Sequence, residues 1–193
     1  MLKSIANIIL FHVGWFGCIL GAAHGMPWLG PIVVIAMVAA HVPLIGMSRR
    51  LLALYALLFV SGWIADSVVV LLGAMSFESH ARLGPLAPLW MAAMWVNFGT
   101  TLFLSMGWMR RRLVIGSVFG LIGGPLAYVT GDRLGAVVVE APLWRSILII
   151  GLEWAIAMPV LLRLVSWFGD HRELRSSLRD ARRISRPGGR WRW

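Results

Sequence analysis

Apolar residues in this chain come in long runs, not in the short periodic clusters of a water-soluble fold. Six runs stand out, over 5–23, 29–46, 51–74, 87–109, 113–130 and 147–165. About 20 apolar residues in a helix cross the hydrocarbon core of a bilayer, so each run reads as a membrane-spanning helix. The second and fifth runs are short and interrupted by glycine or proline. Pro43 and Pro159 are expected to kink their helices or to mark turns near their ends. The pattern predicts an all-α integral membrane bundle of about six transmembrane helices over 1–167, followed by a polar tail over 168–193.

Composition agrees with this pattern. The 193 residues are 59% hydrophobic and 13% charged, with mean hydropathy +0.80, against about 25% charged in an average soluble domain. One domain is expected at this length. The first run ends near Ala22 and Ala23, as a signal peptide would, yet it is longer than a typical one and carries Asn7 and His12, so it is read as a span. The single cysteine, Cys18, cannot form an internal disulfide and is read as a packing residue.

Charge adds orientation. The net charge is +10. Lys3, Arg49, Arg50, Arg110, Arg111 and Arg112 fall on one side of a six-span bundle, together with eight arginines between Arg172 and Arg192. The opposite loops hold Arg82, Arg133 and Arg145, beside the acids Glu78, Asp132 and Glu140. The positive-inside rule then places both termini in the cytoplasm. In the tail, Asp170 and Glu173 form a capping pattern. Leu174, Leu178 and Ala181 follow at helical spacing among Arg172, Arg175, Arg179, Arg182 and Arg183. Such a basic amphipathic helix is expected at the membrane surface, held by anionic lipid at about 1 kcal/mol per basic residue. Membrane lipid is therefore the expected partner of the tail, and nucleic acid is not.

Three stretches share a pattern: LGAAHGMPW (20–28), LGAMSFE with APLW (72–78, 87–90) and LGAVVVEAPLW (134–144). Each would cap one hairpin of two spans, which suggests three parallel hairpin repeats. Chance is the competing reading, because leucine, glycine and alanine are abundant here.

The candidate chemistry lies in two isolated acids. Asp66 and Glu153 each sit alone inside an apolar run, where a charge costs roughly 2.5–3.5 kcal/mol, so such residues pair, line a wet cavity or carry a proton. Counting from the span ends puts both roughly 9–12 Å below the acidic surface. Two acids held together in low dielectric share one proton and could serve as acid and base. The bland alternative is a hydrogen bond to a neighbour, with Ser67 and Trp63 the obvious partners of Asp66. Glu78, His80, Asp132 and Glu140 would cluster above this level, and Asn97 and Thr101 below it, as candidate ligand-binding groups. Trp63, Trp95 and Trp154 would lie deep enough to line a cavity, as would Trp15. Trp28, Trp90, Trp108, Trp144 and Trp167 would anchor at the interfaces. Met91, Met94, Trp95 and Phe98 share one helical face.

His12 and His41 fall in the opposite half, where they could face each other. Their positions give no metal-ligand spacing, and neither a metal nor a cofactor is expected. A histidine box, an acidic prenyl-diphosphate motif, a P-loop and a dinucleotide fingerprint are all missing from the sequence.

Several motifs taken together carry a resemblance: Trp15-Phe16, G-W-I-A-D-S (62–67), P-L-W-M-A-A-M-W-V-N-F (88–98), G-P-L-A-Y-V-T-G-D-R-L-G-A (124–136), and E-W-A with a later proline (153–159). The chain resembles a family of small bacterial multi-pass inner-membrane proteins known as a domain of unknown function. The resemblance implies an inner-membrane protein and assigns no activity. Three functions are open at this stage. The bundle could bind or modify a hydrophobic, lipid-like small molecule through Asp66 and Glu153. It could be a proton-coupled transporter, or an accessory protein that packs against another membrane protein.

Overall fold

A computed structural model describes the backbone of residues 2–78 and 84–184, with side chains to residue 168. Six α-helices follow in order: α1 Leu2–Ala23, α2 Leu29–Ile45, α3 Arg49–Leu71, α4 Leu89–Thr101, α5 Leu113–Arg133 and α6 Leu143–Ile184. A short antiparallel pair, β1 Met75–Ser76 and β2 Val138–Val139, joins the loops after α3 and α5. Four helices are long and apolar enough to cross a membrane: α1, α3, α5 and the 143–168 part of α6. Their outward faces carry large apolar side chains, such as Val114, 77% exposed, and Ile156, 67% exposed. Apolar surface on this scale suits lipid rather than water.

The ends of the helices follow from local sequence. Ser48 caps α3 by accepting a hydrogen bond from Leu51 N at 3.2 Å, a typical N-cap contact. At its far end Gly73 turns left-handed, φ +67°, while Gly73 N and Ala74 N donate to Val70 O and Val69 O. Helix α5 ends alike at Gly135, φ +80°, on Asp132 O and Gly131 O. These are Schellman caps, which need a residue tolerant of positive φ. The two loops then meet: Ser76 opposes Val138, each three residues past its capping glycine. A local twofold axis passes through that pair. In α1 the cap is Gly25, whereas Gly21, aligned with Gly73 and Gly135 by the LGA pattern, lies inside the helix. The first of the three stretches thus takes a different register and has no strand.

The fourth run departs most from expectation. Instead of a span over 87–109, α4 is a 13-residue helix, and ten of its residues are buried. At 1.5 Å per residue it extends about 20 Å, short of the bilayer core. It sits against α1, α2 and α3 as the centre of the bundle. The Thr100 and Thr101 hydroxyls donate to Asn97 O and Phe98 O, both at 2.7 Å. Back-bonding of this kind competes with helix propagation. The chain continues through turns to a 3₁₀ turn at Gly107–Met109.

Irregular backbone at membrane depth must find partners inside the protein. Here Asn7 of α1 supplies them. Its Oδ1 accepts from Ser105 Oγ at 2.6 Å and Ser105 N at 3.3 Å. Its Nδ2 donates to Thr100 O at 3.2 Å and to His41 Nε2 at 2.8 Å. His41 Nδ1 in turn donates to Met37 O. Arg110 reaches back to Leu102 O and Phe103 O, so this arginine ties the broken segment down as well as adding charge. His12 does not meet His41, because its ring bonds Ile8 O on its own helix and is exposed. Replacing Asn7 by leucine strips partners from Ser105, Thr100 and His41 together. The expected loss is about 3 kcal/mol, measured as detergent-solubilised unfolding. A loss under about 0.5 kcal/mol, the scale of a surface substitution, would refute the role assigned to Asn7.

The tail also differs in detail. Helix α6 continues without a break through Asp170 and Glu173, so their pattern does not open a new helix. The side chains of Arg172, Arg175, Arg179, Arg182 and Arg183 lie outside the described ones.

Candidate functional site

Asp66 is 0% exposed, five residues before the end of α3. Its expected partners are otherwise engaged: the Trp63 indole donates to Ala87 O at 2.7 Å, and Ser67 Oγ accepts from Ala87 N at 3.2 Å. Those two bonds pin the start of α4 to α3. Asp66 instead accepts from Trp95 Nε1 at 2.7 Å on Oδ2 and from the Tyr128 hydroxyl on Oδ1. One carboxyl thereby joins α3, α4 and α5.

Tyr128 escaped the sequence reading, because a tyrosine in an apolar run has no period to mark it. A signal did exist. Aligning LGA at 72–74 with LGA at 134–136 sets Tyr128 opposite Asp66, each seven residues before its capping glycine. The same alignment pairs Gly62 with Gly124, and Arg49-Arg50-Leu51 with Arg111-Arg112-Leu113. The packing follows it. Gly62 lies against the Trp95 indole and Gly124 against that of Trp154. The two indoles stack on each other, with centroids 4.7 Å apart at 15°. The Trp154 N–H comes near the Tyr128 hydroxyl without a well-formed hydrogen bond.

Glu153 lies on α6, ten residues from its first residue, Leu143. That start is earlier than the apolar run indicated, so Glu153 is about 15 Å along the helix, deeper than expected. Both its carboxyl oxygens are buried and accept no hydrogen bond from the described residues. It stands within electrostatic range of Asp66 and Tyr128.

Beside this group lies a cavity of about 200 Å³. Its walls are Phe11, Trp15 and Ile19 of α1; the Met91, Met94, Trp95 and Phe98 face of α4, with Trp90; Tyr128 and a small-residue strip of α5; and Trp154 of α6. Eight of the 18 lining residues are aromatic, and none is lysine, arginine or histidine. Helices α1 and α5 flank the cavity without forming one of the main packed pairs. The strip on α5 has two uses. Gly116, Gly120 and Gly124 let α6 approach through Leu162, Met158 and Trp154, whereas Gly123 has only Phe119 of its own helix nearby and leaves room.

Of the remaining candidates, Asn97, Thr101, Asp132 and Glu140 make hydrogen bonds within the protein. Asn97 Nδ2 donates to Phe11 O at 2.9 Å, with its Oδ1 buried and accepting no hydrogen bond from the described residues. Thr101 donates to Phe98 O and contacts Met106 Sδ at 3.4 Å. Asp132 Oδ1 accepts from Val139 N and Glu140 Oε1 from Ser76 Oγ, so both acids hold the β pair. Glu78 is exposed, and His80 lies outside the described residues. Trp90 is no interface anchor: it is 1% exposed and packs edge-on against Phe77. Trp28, Trp108 and Trp144 are exposed near helix ends, whereas Trp167 is exposed in the interior of α6. Among the described residues no group of three or more acids, histidines and cysteines could hold a metal.

No curated protein and no solved structure matches the chain. A family model covers residues 4–160, most of the motifs and every residue of the site just described. The chain belongs to that family, whose description is protein of unknown function (DUF2878).

Proposed function

We propose that this membrane protein binds a lipid-like small molecule in the aromatic cavity, with the Asp66–Tyr128–Trp95 group as its polar end. One observation carries the reading: the two residues that hold the buried acid, Tyr128 and Trp95, are themselves lining residues of an open apolar cavity. A few placed polar groups in an apolar pocket are the usual form of a small-molecule site. An acid kept at depth with its donors turned toward such a cavity suits recognition or proton transfer better than packing alone. Transport draws less support, because the polar cluster at Asn7 and His41 serves the broken segment after α4. An accessory role would favour an outward small-residue face, whereas the α5 glycines turn to α6 and the cavity. We place the protein in a bacterial inner membrane with six membrane-embedded helices, both termini on the cytoplasmic side and the β pair outside. We read α3–β1–α4 and α5–β2–α6 as two copies of one hairpin.

The test uses the protein in dodecyl maltoside, with brominated dodecanol as a quencher of the four cavity tryptophans. Wild type is expected to show saturable quenching. Gly123→Phe fills the free space at no cost to the α5–α6 contact, and should remove the saturable component while circular dichroism stays unchanged. Unaltered quenching in a folded Gly123→Phe variant would sink the cavity as the binding site.

A further inference from the structure

The cavity is closed at one end and open at one side. Near the β pair, a Cβ at Gly131 would come within 3.2 Å of Val137 and 3.3 Å of Ile19, so α1 and α5 touch there. Ile19, Val137 and Trp90, which line that end, are buried. About two turns back along α5, a Cβ at Gly123 would meet only Phe119 of its own helix. The two helices thus diverge from Gly131 toward Gly123, and each packs on other partners, α1 on α2 and α4, α5 on α6. Phe119 marks the open side: it lines the cavity, its ring lies against Gly123, and it is still 42% exposed on the outer surface. The exposed side chains around it on α5, Ile115, Ile122 and Leu126, are apolar and suit lipid. Phe119 comes six residues after Leu113, the start of α5, so the opening lies about 9 Å along the helix, at hydrocarbon depth.

We infer that the ligand is an uncharged lipid dissolved in the hydrocarbon core, which enters sideways between α1 and α5 past Phe119. This rests on the cavity being the binding site. An opening at this depth admits what is already in the hydrocarbon, because a charged group would lose its water on the way in. The lining agrees. None of its 18 residues is aspartate, glutamate, lysine, arginine or histidine, and the Tyr128 and Trp95 donors already end on Asp66. A charge inside would find no partner among them. Phe119 acts as the gate: its ring can swing outward without disturbing the α5–α6 contact, which runs through Gly116, Gly120 and Gly124.

The experiment is stopped-flow tryptophan quenching in dodecyl maltoside. Brominated dodecanol is mixed in to read entry, and unbrominated dodecanol then chases it out to read exit. Phe119→Ala should speed entry and exit together, each by about threefold or more, as removal of a gate does. Ile122→Ala, an exposed change on the same helix away from the lining, should leave both rates within about twofold. Brominated dodecyl sulfate and brominated dodecyltrimethylammonium should need roughly tenfold or more higher concentration than the alcohol for saturable quenching. Rates that ignore Phe119→Ala, a rise in exit alone, or an equal rise in Ile122→Ala overturns the lateral gate and leaves the cavity reading standing. A charged probe as potent as the alcohol overturns the uncharged class. Absence of any saturable quenching by the alcohol overturns the cavity reading as well.

Discussion

Replacing Asp66 by leucine is expected to destabilise the protein by about 4 kcal/mol, because two buried donors lose their acceptor at once. The Trp95 N–H and the Tyr128 O–H both end on this one carboxyl, at a point where α3, α4 and α5 converge. The sequence neighbours of Asp66 offer no replacement: Ser67 and Trp63 are held by Ala87. Asparagine keeps the shape and one acceptor, so Asp66→Asn should cost about half as much. Thermal unfolding in dodecyl maltoside distinguishes the two. If leucine and asparagine unfold at the wild-type temperature, Asp66 does not tie the three helices together, and its hydrogen bonds are incidental.

Gly62→Leu should do comparable damage by a different route. A Cβ at Gly62 would fall on the Trp95 indole, which cannot retreat. Its ring is stacked on Trp154 and its N–H is bound to Asp66. Overpacking usually costs about 1–3 kcal/mol and more where neighbours are locked, so a loss of about 3 kcal/mol or above is expected, together with loss of saturable quenching. Gly73→Ala is the comparison. That position has open space around it but a φ of +67°, so only backbone strain of about 1 kcal/mol applies. A Gly62→Leu variant no less stable than Gly73→Ala would mean that the α3–α4 contact is loose and the site is not preorganised.

Much of the molecule was readable before any coordinates. Long apolar runs have few folded outcomes, since a backbone in lipid must satisfy its own hydrogen bonds. The runs therefore located the six helices, whereas the glycine caps at Gly73 and Gly135 emerged only from the backbone geometry. Asp66 and Glu153 were visible as isolated acids for the same energetic reason. The face of Met91, Met94, Trp95 and Phe98 was readable from helical spacing, and all four line the cavity.

Tertiary structure decided the rest. Hydropathy scores apolar length and cannot distinguish lipid from protein surroundings. Leu102 to Met109 looked like a continuation of α4 but is turns and a 3₁₀ segment made tolerable by Asn7, which lies 98 residues from Ser105 in sequence. Trp90 looked interfacial by position and is buried because α4 is central. Asp66 chose Tyr128 and Trp95 over its sequence neighbours because helix order, which local pattern does not encode, brought α4 and α5 to it. Local sequence determined that this chain makes apolar helices with two costly acids inside. Only the packing of those helices determined which donors reach Asp66, and that they line one cavity.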